Sequence, residues 1–230
     1  MPVLVLILSV AFALSPIWVP DFGGFDADQF PIPQTDPSVQ PAGYAFAIWG
    51  LIYVWLIAGC GYGAWRQWND PAWRAMRGPL AASLAVGAVW LPVAVLSPVW
   101  ATLLIWVMLV TALWALWRSP VTEAWAAAWP VGLYAGWLSA ASFVALGLML
   151  AGFGWASDAV AAGVMITAAT ALAFAVQMRL RRAPTYGIAV IWALIAIAVR
   201  GEFELSQLSV ILALAGVALM IWPTVRATGK

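Results

Sequence analysis

From Pro79 to Trp117 the chain carries no charged side chain. A helix needs about 20 apolar residues to cross the hydrocarbon core of a bilayer, and this stretch is about twice that length. Ser97-Pro98 sits in its middle. Proline lacks a backbone N–H and clashes with the preceding turn, so the stretch divides into two spans, 79–97 and 99–117, joined by a very tight turn.

The rest of the chain follows the same pattern. Of its 230 residues 65% are hydrophobic and 8% charged, whereas a soluble domain carries about 25% charged residues. The apolar runs are long and rich in Leu and Ala, without the alternation that marks the strands of a membrane barrel. Further spans are expected at 2–19, 42–65, 124–151, 158–178, 185–199 and 205–223. Ser157 or Asp158 supplies an N-cap for the span at 158. No Lys or Arg precedes the first run, so it reads as a retained helix rather than a signal peptide. The expected fold is an all-α integral membrane protein of about eight transmembrane helices.

Charge tests that count. With eight crossings, the loops at 66–78, 118–123 and 179–184 and the tail share one side. They hold Arg66, Arg74, Arg77, Arg118, Arg179, Arg181, Arg182, Arg226 and Lys230, leaving only Arg200 opposite. Asp21, Asp26, Asp28, Asp36, Asp158, Glu202 and Glu204 lie on Arg200's side. Basic residues gather in cytoplasmic loops, so both termini are expected in the cytoplasm and the loop 20–40 outside, in a bacterial inner membrane. The stretch 66–78, with Trp65, Trp68 and Trp73 beside its arginines, reads as a basic aromatic interface turn. Arg200 is expected to pair with Glu202 and Glu204.

Several chemistries are disfavoured. The chain has no histidine and one cysteine, Cys60, which removes histidine ligation of metals, histidine-based triads and any intramolecular disulfide. No basic stripe suits nucleic acid. No charged residue falls mid-helix under this segmentation, as a proton relay or ion pathway usually requires. The loop aspartates lack calcium-loop spacing and serve to solvate the loop. Gln177, near the basic end, reads as structural.

Two stretches concentrate aromatic side chains. Phe46, Trp49 and Tyr53 are spaced to share one helical face, next to the polar loop, which could act as a flexible lid. In the fifth span Tyr134, Trp137 and Ala141 share a face, while Gly132, Gly136 and Ala140 recur every fourth residue on another. That small-residue ridge admits a close neighbouring helix. The aromatics support two readings: an interfacial belt, or a mostly apolar pocket in which Trp49 and Trp137 wall a slot and the Tyr53 and Tyr134 hydroxyls orient a planar or isoprenoid guest.

The residues from Pro41 to Tyr53 (Pro41, Gly43, Phe46, Trp49, Tyr53) resemble the second-helix signature of the TspO family, the tryptophan-rich sensory proteins related to the mitochondrial translocator protein. Tyr44 stands where that family usually has Trp. Tyr134, Trp137, Ser139 and Ser142 resemble its fifth-helix pattern, and Trp90 matches its third-helix Trp. The family's Asn near the fifth-helix motif falls here on Ala145.

The resemblance implies a five-helix core over 1–152 with an external loop at 20–40, and three additional helices over 153–230. It also implies binding, sensing or transport of a tetrapyrrole, sterol or carotenoid-like isoprenoid, with Phe46, Trp49, Tyr53, Trp90, Tyr134, Trp137 and Ser142 lining the site. Expected partners are the lipid bilayer, a hydrophobic small molecule, and a second copy or a larger membrane complex. A structural subunit packing through its Trp and Gly faces is the alternative. Porphyrin degradation, proposed for some family members, is disfavoured by the absence of histidine.

Overall fold

The computed structural model describes residues 1–17, 19 and 22–228; Asp21 and Lys230, both counted in the charge argument, lie outside the described residues. Eight α-helices follow one another: α1 Pro2–Leu14, α2 Ile48–Trp65, α3 Pro71–Leu96, α4 Pro98–Arg118, α5 Ala128–Gly152, α6 Asp158–Leu180, α7 Pro184–Arg200 and α8 Leu208–Arg226. Among the described residues there is no strand. α2 to α6 and α8 are long and apolar enough to cross a membrane, whereas α1 and α7 are shorter. The protein is an all-α integral membrane protein. In lipid, helices are the natural solution because each satisfies its own backbone polar groups.

Local chemistry sets the helix starts. Ser97 is the single residue between α3 and α4, and its hydroxyl accepts from Trp100 N while Pro98 takes the first helical position. Ser157 caps α6 in the same way. Asp70 caps α3, accepting from the N–H groups of Ala72 and Trp73, with Pro71 following.

That cap corrects the expected interface turn at 66–78. α3 begins at Pro71, eight residues before the expected start, and carries Arg74 and Arg77 on its first turns. Arg77 is buried, and its guanidinium donates to the carbonyls of Gly63, Gln67 and Trp68. Gly63 belongs to the last turn of α2, whose carbonyls lack helical partners, and Gln67 and Trp68 follow its end. The arginine is a helix-end clamp.

α5 is the hub. It packs on α2 and α4 on one side and on α6 and α7 on the other, and 19 of its 25 residues are buried. α1 packs on α2 and α3, α3 on α4, and α8 on α6 and α7. Two groups of helices therefore share α5 as a common wall. Gly132 and Gly136 allow the contact with α7: a Cβ added at Gly136 would lie 2.2 Å from the Tyr186 carbonyl oxygen, and one at Gly132 2.7 Å from Thr185 Oγ1. Lipid supplies no hydrophobic drive between helices, so close backbone approach and hydrogen bonds supply the association. Two buried pairs add to it across α5, Tyr134 with Ser83 of α3 and Tyr186 of α7 with Ser139, each at 2.9 Å. Gln177 is fully buried, donating to the Arg182 carbonyl and accepting from Gly187 N, which ties α6 to the start of α7.

The segment from Phe22 to Ala47 caps one end of the bundle, and it is fastened rather than loose. Gln29 donates to the Ala94 and Val95 carbonyls at the end of α3. Ile32 N donates to the Gly152 carbonyl, and Ala42 N to that of Ala196. Ser38 donates to Asp158 through both its N–H and its hydroxyl. Arg200 pairs with Asp36 across this face, not with Glu202 or Glu204 as expected, because the cap folds over the end of α7. At the opposite end, Arg66, Arg118 and Arg226 lie over the rings of Trp65, Trp114 and Trp222, an arrangement suited to the headgroup region.

Candidate functional site beneath the cap

Beneath the cap, an aromatic cluster joins segments distant in sequence. Trp49 and Tyr53 stack on successive turns of α2, centroids 5.4 Å apart and planes 17° from parallel. Phe12 of α1 meets both edge-on, at 5.6 and 5.0 Å. Phe46 lies in a 3-10 turn leading into α2 and meets Trp137 of α5 at 5.9 Å. From the cap, Phe22 reaches Trp90 of α3 at 5.5 Å. Edge-to-face contacts of this kind add to simple area burial because the positive ring edge meets the negative face.

Two adjoining chambers lie among these rings. The larger, about 220 Å³, is lined by Phe12, Phe22, Trp49, Tyr53, Met108 and Leu138, among others. The smaller, about 60 Å³, lies between the cap, α5 and α7, with Phe25, Gln40, Trp137, Ala140, Ala145 and Ile197 in its wall. Phe22, Phe46, Trp90 and Ile105 border both chambers, so side chains form the partition between them. Of the described residues lining them, only Gln40 and Tyr53 carry a side-chain oxygen, and none is charged.

The structure places the seven expected site residues unevenly. Phe46, Trp49, Tyr53, Trp90 and Trp137 border one chamber or both. Trp49 and Trp137 do not wall an open slot, however. Their rings touch, centroids 6.2 Å apart, with the larger chamber on the Trp49 side and the smaller on the Trp137 side. Tyr134 and Ser142 border neither. The Tyr134 hydroxyl is spent on Ser83, and Ser142 is buried against α4 with the Ile105 carbonyl 3.4 Å away. Of the small-residue ridge, Gly132 and Gly136 face α7, while Ala140 reaches the smaller chamber.

The indole N–H groups differ in a way that bears on chemistry. Trp90 Nε1 donates to the Ala101 carbonyl at 2.8 Å. Among the described residues, Trp137 Nε1 is buried with no hydrogen-bond partner, as are Trp73 Nε1 and Thr102 Oγ1 elsewhere in the bundle. A buried donor without an acceptor is costly, and at a functional site it is where a guest oxygen is best rewarded.

Sequence reasoning missed Phe12, Phe22, Phe25 and the α7 residues Ala193 and Ile197. Phe22 and Phe25, inside an aspartate-bearing loop, were the available signal for the cap. Nothing in the apolar run of α7 set its chamber-facing residues apart. Among the described residues no cluster of His, Cys, Asp and Glu could hold a metal ion.

A protein-family model described as TSPO-like protein matches residues 28–225. The match starts in the cap and runs through α2 to the last turn of α8, across both the expected core and the additional helices. No curated protein and no solved structure matches the chain. With so much of its length matched, the chain belongs to the TSPO-like protein family, a membership that points to a membrane protein of the ligand-binding or sensing kind.

Proposed function

We propose that this protein binds a neutral hydrophobic ligand, a sterol or carotenoid-like isoprenoid bearing one hydrogen-bond acceptor, in the two chambers beneath the cap. The observation that carries the reading is an otherwise apolar space walled in part by Trp137, a side chain whose buried Nε1 has no partner among the described residues. Binding pockets for small molecules are mostly apolar, with few polar anchors. Phe22, Phe46, Trp90 and Ile105 border both chambers, so a slender guest that turns the Phe22 and Phe46 rings joins the two spaces. A tetrapyrrole diacid fits less well, because among the described residues no basic side chain lines either chamber. The role is binding, in the service of sensing or moving the ligand, rather than catalysis. We place the arginine-bearing end in the cytoplasm and the cap outside, following the asymmetry of basic residues.

Titration of the purified protein with a hydroxylated carotenoid, protoporphyrin, or protoporphyrin dimethyl ester tests this through quenching of tryptophan fluorescence. The carotenoid and the neutral ester are expected to quench saturably, and Trp137→Phe to weaken both. Tighter binding of the free diacid than of its ester would exclude the neutral-ligand reading. Failure of all three to saturate would leave a packing role within a larger complex as the better account.

A further inference from the structure

At the opposite end of the bundle lies a cleft of about 610 Å³, lined by Arg179, Arg181 and Arg182 with Trp129, Leu180 and Val121. The first residues of α5 and α7, Ala128 and Pro184, also line it, so the positive ends of two helices adjoin the arginines. Among the described residues none of these arginines forms a salt bridge; the ion pair of Arg200 with Asp36 is at the far end. Glu123 belongs to the loop that supplies Val121 and Ala124 to the cleft, yet it makes no such bridge.

The arginines are not equivalent. Arg182 is committed, donating to the Leu116 and Trp117 carbonyls at the end of α4 at 3.3 and 2.9 Å. Burial pulls its pKa down from the usual value, as expected of a cation short of counter-charge. Among the described residues, the Arg181 side chain uses only Nε, towards the Met178 carbonyl, and the Arg179 side chain makes no hydrogen bond. The three-residue link that carries Arg181 and Arg182 is held in an unusual shape. Arg181 and Ala183 both have left-handed backbones, with φ of 47° and 52°, at positions where neither residue is glycine. Strain of this kind persists where its surroundings over-determine it, and it clusters at ligand sites.

We propose that this cleft binds the phosphate headgroup of an anionic phospholipid. Arg179 and Arg181 supply charge-assisted donors to the phosphate, and the apolar wall at Leu180, Val121 and Trp129 takes the start of the acyl chains. A lipid is favoured over a free anion because the cleft joins charge to an apolar wall at the membrane edge. Trp129 stands partly exposed in it, as tryptophans do at a membrane interface. Basic pockets between transmembrane helices on the cytoplasmic side commonly take acidic headgroups. The inference does not depend on the chambers beneath the cap.

The test uses the full-length protein in neutral detergent, with lipid binding counted by native mass spectrometry and thermal stability followed in parallel. Phosphatidylglycerol is expected to bind at one saturable site and raise the melting temperature, while phosphatidylcholine does neither. In Arg179→Gln/Arg181→Gln, which spares the helix-end bonds of Arg182, the affinity for phosphatidylglycerol is expected to fall about thirtyfold. Equal binding of the two lipids, or an unchanged affinity in the double variant, overturns the proposal. A melting shift reproduced by inorganic phosphate alone also overturns it, assigning the cleft to a soluble anion. Should the double variant melt early without lipid, Arg179→Lys/Arg181→Lys retains the charge and is expected to recover most of the binding. Failure of that recovery in a folded variant counts against the site.

Discussion

Trp49 and Trp137 meet edge to face at 84°, so the rings expected to flank one cavity instead touch each other, each bordering its own chamber. The buried Trp137 N–H, without a partner among the described residues, is costly whatever the ring contact contributes. Trp137→Phe removes the orphan donor while keeping an aromatic ring. It is expected to leave the ligand-free protein as stable as before, or more stable by about 1 kcal/mol. Binding of an acceptor-bearing ligand is expected to weaken about fivefold to tenfold, while a pure hydrocarbon polyene is unaffected. Paired melting and fluorescence titrations separate the two effects.

Gly136 sets the distance between α5 and α7. Even Gly136→Ala brings a methyl group to within 2.2 Å of the Tyr186 carbonyl oxygen, so α7 must retreat and strain its bond from Tyr186 to Ser139. Overpacking of this kind costs about 1–3 kcal/mol. Gly50, with open space around its missing Cβ, is the control, and Gly50→Ala is expected to change nothing beyond a small gain in helix propensity. Unfolding in mixed micelles should rank the two variants in that order.

Arg77→Met preserves most of the side-chain volume and deletes the clamp on the carbonyls of Gly63, Gln67 and Trp68. Hydrogen bonds to charged groups contribute about 1.5–3 kcal/mol each. A loss of at least that size is expected, with the added proteolysis falling between α2 and α3. Cleavage sites spread evenly along the chain would argue against a local clamp.

The two polar anchors of the cap are expected to differ. Asp36 is largely exposed, so Asp36→Asn should cost no more than about 1 kcal/mol despite the bonds to Arg200. Asp158 accepts from both the backbone and the hydroxyl of Ser38. Asp158→Ala should therefore speed amide exchange around Ser38 several-fold, where Asp36→Asn leaves it nearly unchanged.

Much of the architecture was legible because membrane helices announce themselves by length and by their stops. Ser97-Pro98 marked a turn within an uncharged run, and Ser157 marked the start of α6. The start of α3 lies eight residues before the expected one because Arg74 and Arg77, which suit a loop in the sequence, sit on its first turns. Asp70-Pro71 was the better signal, a cap followed by proline, and Arg77 bends back to serve the preceding helix. The aromatic chamber was visible only in outline. Helical spacing says which side chains share a face of α2 or α5, but not how the two faces meet. Tyr134 shows the limit: its spacing from Trp137 suited a binding role, yet a serine 51 residues earlier takes its hydroxyl. The partner of Arg200 was likewise beyond reach, since Asp36 lies 164 positions away and only the folded cap brings it near.

Most membrane helices can drift in sequence on the side that touches lipid, where any oily residue serves. α5 has almost no such side. A substitution there must be acceptable to neighbours on two fronts at once, so a saturation library of the whole protein should return its narrowest range of survivors between Val131 and Ala140, where every position is enclosed. The same enclosure gives that helix a second property: a guest that shifts it from the chamber side also shifts what lies against α7, without needing a hinge.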